Sequence, residues 1–530
     1  MKKHTIHRAK TKLFGEQSNK LVYEQSSISE LINTPFSAHS FKGQISEKNK
    51  NYSPNNREIL CKTIYNQYLN SPENLISLSQ IKKLAEEKTF TVSTGHQLSL
   101  FTGTIYFIYK ILQTINLAEQ LQKENPLHHF IPVFWMASED HDFEEINHTR
   151  IFNKKITWGE SQGGPVGMYE LIEWEDVKKT LKNFYKAHPE SEIHSLINSY
   201  DGASLSEATR SIVHTLFGKY GLLVIEPNDK ALKQLFVSAM LQEINLKSSY
   251  KAVTETNKKL STLNLKQQVN PREINLFYIE KGIRDRIIEK NGIFSISSLG
   301  NFSLSELTEL IKKKPDHFSP NVILRPLYQE MILPNLAYIG GAGEINYWIQ
   351  LKTLFADFDT VFPLICVRNS LLLIDVNTKR KWNNLGFTWK DYFKSKHSLQ
   401  DDYVAAKENE TLNFDQIDEA TKSLAELFKT KIEATDHALT RFADAEVTKL
   451  TKQIEQLKAK LIKHKKGSFE VAMKQIEEIK DRLFPSNDLQ ERSENFFSFC
   501  PDGNFSNQIE ELKKTIDPFE KDFILVELNE

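Results

Sequence analysis

Cysteine is scarce in this chain: Cys61, Cys366 and Cys500 are the only three among 530 residues. They lie far apart, so there is no CxxC zinc knuckle and no disulfide framework. Such usage suits a reducing compartment, and a cytoplasmic protein is expected. No uninterrupted apolar run approaches the roughly 18 residues of a membrane-spanning helix. The basic start MKKHTIHRAK is followed by no apolar stretch, so it does not read as a signal peptide. A charge excess of one sign is missing too. Lys plus Arg is 68 and Asp plus Glu is 69, a net charge of −1, which argues against a nucleic-acid coat or a polybasic membrane-surface protein. HExxH and GxSxG are absent, and no metal site or structural zinc is expected.

What is present is enough for a large core. Hydrophobic residues make up 40% of the chain, and 33 Phe and 17 Tyr exclude a solvated coil. At about 150 residues per domain, the length suggests three to four domains or one large core with insertions. The pattern predicts helix over 58–88 and strands at Thr89–Ser93, Phe130–Ala137, Leu222–Ile225, Val322–Leu324, Ala337–Ile339 and Val361–Leu364. Helical segments separate them: Gly103 to Lys123, 206–220 and Lys230–Gln268. Hairpin-like pieces plus a short helix fill 275–312. Strand, turn, helix, strand is the signature of a parallel sheet, whose ligands sit beyond the carboxyl ends of its strands.

Four polar constellations follow predicted strands. Glu139-Asp140-His141-Asp142-Phe143-Glu144-Glu145 crowds five carboxylates and an imidazole, which suits acid/base work, an amine pocket or a hard metal; the alternative is an acidic helix start. Gly340-Gly341-Ala342-Gly343-Glu344-Ile345-Asn346 opens a helix, where free N–H groups suit phosphate or carboxylate. It is neither a Walker A loop nor a complete dinucleotide fingerprint. Thr94-Gly95-His96-Gln97, with Thr102, Gly103 and Lys110, forms a second glycine turn, in which His96 either donates to a phosphate or simply caps. Arg325 can clamp a carboxylate or form a structural ion pair, and Arg368-Asn369 is a similar polar pair at a strand end.

Composition shifts near residue 376 to Lys, Glu, Leu and Asp with few glycines. Val447, Leu450, Ile454, Leu457 and Leu461 form a coiled-coil seam, and Phe469, Ala472, Ile476, Ile479 and Leu483 repeat it. An antiparallel hairpin with Gly467 in its turn is expected, with Lys465-Lys466 as a solvated tip.

TGHQLSLFTG (94–103), PVFWMASEDHDFEEIN (132–147), RPLYQEMILPNLAYIGGAGEINYW (325–348) and VRNS (367–370) together resemble the bacillithiol biosynthesis cysteine-adding enzymes, the BshC family, with departures from its pattern at His96 and Ala342. The resemblance implies an α/β, Rossmann-like parallel-sheet core with insertions, similar to class I aminoacyl-tRNA synthetases. It occupies 1–375 with insertions at about 155–310, followed by a helical coiled-coil domain over 376–494 that serves dimerisation. A return segment, 495–530, packs on the core. The implied reaction is ligation of L-cysteine to the amine of glucosaminyl-malate, and both are small-molecule substrates; no nucleic acid or membrane partner is implied. On that reading Asp140, His141 and Asp142 do the acid/base work. Gly95, His96, Gln97, Thr102, Gly103, Glu139, Arg325, Gly341, Gly343, Glu344, Asn346, Arg368 and Asn369 bind substrate or a nucleotide such as ATP. A non-catalytic nucleotide-binding scaffold and a class I-like nucleotidylyltransferase are the competing readings; the chain has no clear KMSKS-like loop.

Overall fold

The run His129–Met136 (HFIPVFWM) lacks polar alternation, as a strand covered on both faces does. In a computed structural model, which describes residues 1–69, 75–408, 414–435 and 439–528, it lies inside a five-stranded sheet. We number the strands in chain order: β1 (Thr89–His96), β2 (His129–Met136), β3 (Leu223–Ile225), β4 (Asn335–Gly340) and β5 (Leu364–Val367). Their spatial order is β5-β4-β1-β2-β3, with every adjacent pair parallel. This is the doubly wound order, and it reverses direction between β1 and β4.

Side-chain alternation divides the core between the two faces of the sheet. Ile131, Val133, Trp135, Leu223, Ile225 and Tyr338 join one buried cluster. Phe90, Val92, Phe130, Ala337 and Ile339 join another, with Leu117 and Leu121 of the crossover helix Tyr106–Glu124. Between β2 and β3 the chain inserts the hairpin 148–157 and the helices Trp174–Phe184, Glu192–Ser199 and Leu205–Phe217. Between β3 and β4 it inserts the helices Lys230–Leu246 and Ser248–Thr262, then the hairpin Leu276–Glu280 and Ile283–Arg286. The tip of that hairpin meets Gly163 and Gly164 backbone to backbone. A Cβ on Gly164 would lie 2.6 Å from the Ile283 nitrogen and 2.8 Å from the Glu280 oxygen, so only glycine fits there.

Several sequence expectations need correction. β1 runs on through Thr94-Gly95-His96 rather than ending at Ser93. Val322–Leu324 is not a strand: the strand is Phe318–Pro320, and Leu324–Ile332 is a helix. Pro326 sits in the first turn of that helix, where its missing N–H is not needed. Val361 precedes β5, which begins at Leu364. Of the helix expected over 58–88, residues 70–74 lie outside the described residues; Pro54–Tyr68 and Leu75–Leu84 are helical.

The chain divides into two compact units, the larger comprising Lys3–Leu372 and Glu491–Leu525. The smaller, Leu373–Gln490 with the chain end from Val526, is mainly helical among its described residues. Thr440–Ser468 is one helix that carries Gly467 within it, so Gly467 makes no turn. Exposed helical glycine costs only about 1 kcal/mol, and the a/d spacing shows that a partner exists without saying which. The partner is Asp415–Thr435: Lys458 pairs with Asp418, and Lys429 with Asp444 at 2.7 Å, an antiparallel register. Lys465 and Lys466 are not a solvated tip, because they pair with Glu408 and Asp401 at 3.0 and 2.8 Å. Leu427, Phe442, Leu457 and Leu461 stay exposed. No described helix is long and apolar enough to cross a membrane.

Candidate active site

The reversal between β1 and β4 opens a crevice at their carboxyl ends. Gly95 permits a close approach there: a Cβ would sit 3.3 Å from the Trp135 carbonyl oxygen and 3.5 Å from the Tyr338 hydroxyl. Lys110, one turn into the crossover helix, turns back under β1. Its ammonium donates to the Gly95 carbonyl and, at 2.7 Å, to Glu344 Oε1. Tyr338 donates to Glu344 Oε2 at 2.6 Å, and the Gly341 N–H to Oε1 at 3.0 Å. Burial pushes the Glu344 carboxyl up, but Lys110 and these donors outweigh it and hold it down at about 2. Burial likewise lowers Lys110 against the pull of Glu344. With three donors converging on the carboxylate, we take the pair as ionic. The glycine turn after β4 is therefore no empty phosphate cradle, because Glu344 already occupies the Gly341 N–H.

Two cavities flank this pair and share His96, Gln97, Tyr106, Glu145, Gly343 and Glu344 as lining. The first, about 680 Å³, carries both signs of charge, with Glu139, Asp140 and Glu145 against Arg284 and Arg325. The second, about 660 Å³, is mainly basic, with Arg150, Lys155, Arg368 and Arg492.

In the first cavity Gln97 donates to both Asp140 Oδ2 (2.8 Å) and Glu145 Oε2 (2.9 Å), which draws the carboxylates together. The His141 N–H donates to Asp140 Oδ1 at 2.8 Å. Burial would raise the Asp140 carboxyl. Its hydrogen bonds with His141 and Gln97, with Arg284 nearby, instead hold it below the usual carboxylate range, so Asp140 is an anion at neutral pH. Glu139 turns inward to a buried ion pair with Lys233, whose ammonium also donates to the Phe318 carbonyl at 2.8 Å. Arg325 donates to Gln329 (3.1 Å) and to the Tyr347 hydroxyl (3.3 Å).

His96 lies against Tyr106 and Phe107. Burial and Lys110 push its imidazole down to about 4, so it is neutral. Nδ1 is 2.8 Å from the Gln97 carbonyl oxygen, which only accepts, so Nδ1 carries the proton and Nε2 is a bare acceptor. His96 therefore cannot donate to a phosphate through Nε2.

Matches to known proteins agree with this architecture. The model of the bacillithiol biosynthesis BshC N-terminal Rossmann-like domain matches residues 1–369, and that of the BshC C-terminal coiled-coil domain matches 371–528. The chain belongs to the BshC family. A relative from Flavobacterium psychrophilum, named "Putative cysteine ligase BshC", is 40% identical over 88% of this chain and 89% of its own. Another of the same name, from Flavobacterium johnsoniae, is 37% identical over 90% of each. A solved chain named putative arginyl tRNA synthetase, from Campylobacter jejuni, is 10% identical and covers 86% of this chain and 98% of its own. Its TM-score of 0.21 is too low to bear on the fold.

In this member of the BshC family, most of the residues singled out in the sequence line one cavity or both. Gly95, His96, Gln97, Glu139, Asp140, His141, Arg325, Gly343 and Glu344 line the first. Gly103, Gly341 and Arg368 line the second. Four line neither. Thr102 is buried at the turn before the crossover helix. Asp142 precedes the short helix Phe143–Ile146. Asn346 accepts from Gln17 at 2.8 Å. Asn369 is buried, its side chain donating to the Glu520 carbonyl at 2.9 Å. Arg368 pairs with Glu491 at 2.8 Å and stacks over Tyr106.

Arg284 and Lys233 were not found from the sequence. Lys233 did leave a signal: it precedes the buried Val237, Met240 and Ile244 at helical spacing, a charge on an apolar stripe. Burial pushes the Cys61 thiol up to about 11 and the Cys366 thiol up to about 12, so neither is a thiolate at neutral pH.

Proposed function

We propose that this chain ligates L-cysteine to the amine of glucosaminyl-malate, the last step of bacillithiol biosynthesis, in the cytoplasm. Family membership supports a role in bacillithiol biosynthesis, and the names of its relatives support a ligase. The observation that carries the finer reading is the pair of adjoining cavities at the sheet reversal, one carrying both charges and one basic. An amino acid and an amine-bearing dicarboxylate are ligands of that description.

Amide formation from a free carboxylate requires one oxygen to become a leaving group, which a nucleotide such as ATP supplies. With the Gly341 N–H held by Glu344 and Arg368 paired with Glu491, the exposed side-chain cations of the basic cavity, Arg150 and Lys155, are groups left for phosphates. Asp140, ionised and with Gln97 and Glu145 beside it, holds an ammonium. His141, exposed at the cavity edge, takes the proton that the amine loses on attack through Nδ1, once Arg284 has turned from that nitrogen to a bound ligand.

The test is turnover of cysteine and glucosaminyl-malate with and without ATP, followed as thiol-containing amide product. Asp140→Asn should lower kcat/KM at least roughly 100-fold while the protein stays folded. Unchanged rates would remove Asp140 from the machinery. No turnover by the unaltered chain with any nucleotide would favour the scaffold reading.

We also propose a homodimer formed through the coiled coil, supported by the apolar Leu427, Phe442, Leu457 and Leu461 left exposed there. Light scattering should give twice the chain mass, and Leu457→Lys with Leu461→Lys should halve it. A monomeric unaltered chain would refute the dimer.

A further inference from the structure

Arg284 is the least expected cation of the mixed-charge cavity. It lies on the outer strand of the hairpin Leu276–Arg286, far in sequence from the acidic run it faces. Its guanidinium stacks on Phe277, 3.8 Å from the ring centroid, which fixes the plane of the group. Nη1 lies 3.1 Å from His141 Nδ1. Arginine only donates, so Nδ1 accepts. Its buried Nε has no hydrogen-bond partner, and Arg284 forms no ion pair with a carboxylate among the described residues. This partly buried guanidinium thus keeps most of its five donors unused.

The spacing of the two charges is what identifies a ligand. His141 Nδ1 touches both, at 3.1 Å from Arg284 Nη1 and 3.4 Å from Asp140 Oδ1. The cation and the anion are therefore no further apart than those two distances laid end to end, yet they are not paired with each other. An α-amino acid carries an ammonium and a carboxylate on one carbon, so both of its charges can be met by an anion and a cation held this close and facing one cavity. The position of Arg284 is also built in: the hairpin tip is pinned where Gly163 and Gly164 meet the Gly282–Ile283 backbone with no room for a Cβ.

We infer that Arg284 binds the α-carboxylate, and Asp140 the α-ammonium, of an amino-acid substrate in the mixed-charge cavity. This rests on the proposed function in taking that amino acid as cysteine. The hairpin is then the part of the insertion that selects an amino acid over a simple thiol or amine.

Calorimetric titration of the full chain tests this without turnover. The probes are L-cysteine, cysteamine (no carboxylate) and 3-mercaptopropionate (no ammonium). Cysteine should bind, and each truncated probe should bind at least tenfold more weakly. Arg284→Lys and Arg284→Gln should each weaken cysteine at least tenfold and leave cysteamine unchanged, with circular dichroism confirming the fold. The inference is overturned if cysteine does not bind, if cysteamine binds as well as cysteine, or if Arg284→Gln binds cysteine like the unaltered chain. Cysteine binding with this pattern, but no ligation of glucosaminyl-malate, would refute the proposed function and leave the Arg284 assignment standing.

Discussion

Lys233→Met should destabilise the larger unit by about 3–5 kcal/mol, the cost of leaving a buried carboxylate without its cation. Lys233 is fully buried and Glu139 nearly so. The ammonium spans from Glu139 to the Phe318 carbonyl and lies over the Tyr328 ring. Burial lowers the Lys233 ammonium below its ordinary value, with Glu139 opposing, so the pair is held against a real desolvation cost. Methionine matches the stem and supplies no charge. Adding Glu139→Leu should restore most of the loss, because a well-packed apolar pair often equals a buried ionic one. Urea unfolding of the unaltered chain and the two variants measures this. Equal midpoints for Lys233→Met and the unaltered chain would show that the pair contributes nothing. The double variant should regain stability without regaining turnover, since Glu139 also lines the cavity.

Glu344→Gln should cost roughly 2 kcal/mol at pH 7, and the cost should vanish in acid. The Glu344 carboxyl is held down at about 2 against an ordinary 4.5. A depressed carboxyl contributes stability above its ordinary value and loses it as pH falls toward the folded one. At about 1.4 kcal/mol per unit the ceiling is about 3.5 kcal/mol, and partial exposure of the carboxylate reduces it. The two unfolding curves should therefore lie fully apart above about pH 5 and converge as pH falls from about 4.5 to about 2. Curves that stay parallel throughout would show that Glu344 is not held as an anion.

The sheet and its ends were legible because parallel strands and glycine turns leave local marks. PVFWMA before SEDHD, and AYIG before GAGE, each announce a strand end in a few residues. The partner of each charge left no such mark. Glu139 finds Lys233 and Asp140 faces Arg284 through contacts made only by folding, across 94 and more residues of chain. His96 was visible as a residue, but not as a neutral acceptor, because its tautomer depends on one carbonyl and on Lys110 behind it. The coiled-coil seam was legible as a period. Its partner helix was not, since Gly467 suggests a turn to anyone reading locally and is simply helical.

The order of the sheet has a consequence for how the protein is made. β1 bonds to β4 across 244 residues of chain, as between Thr91 and Asn335. β1, β2 and β3 leave the ribosome long before β4 exists, so three of the five strands wait with β1 as an open edge. The crevice between β1 and β4 cannot close until β4 is made, β5 joins after it, and Arg368 meets Glu491 later still. The binding chemistry is thus switched on at the end of synthesis, and an interrupted chain would present a bare strand edge rather than a partial enzyme.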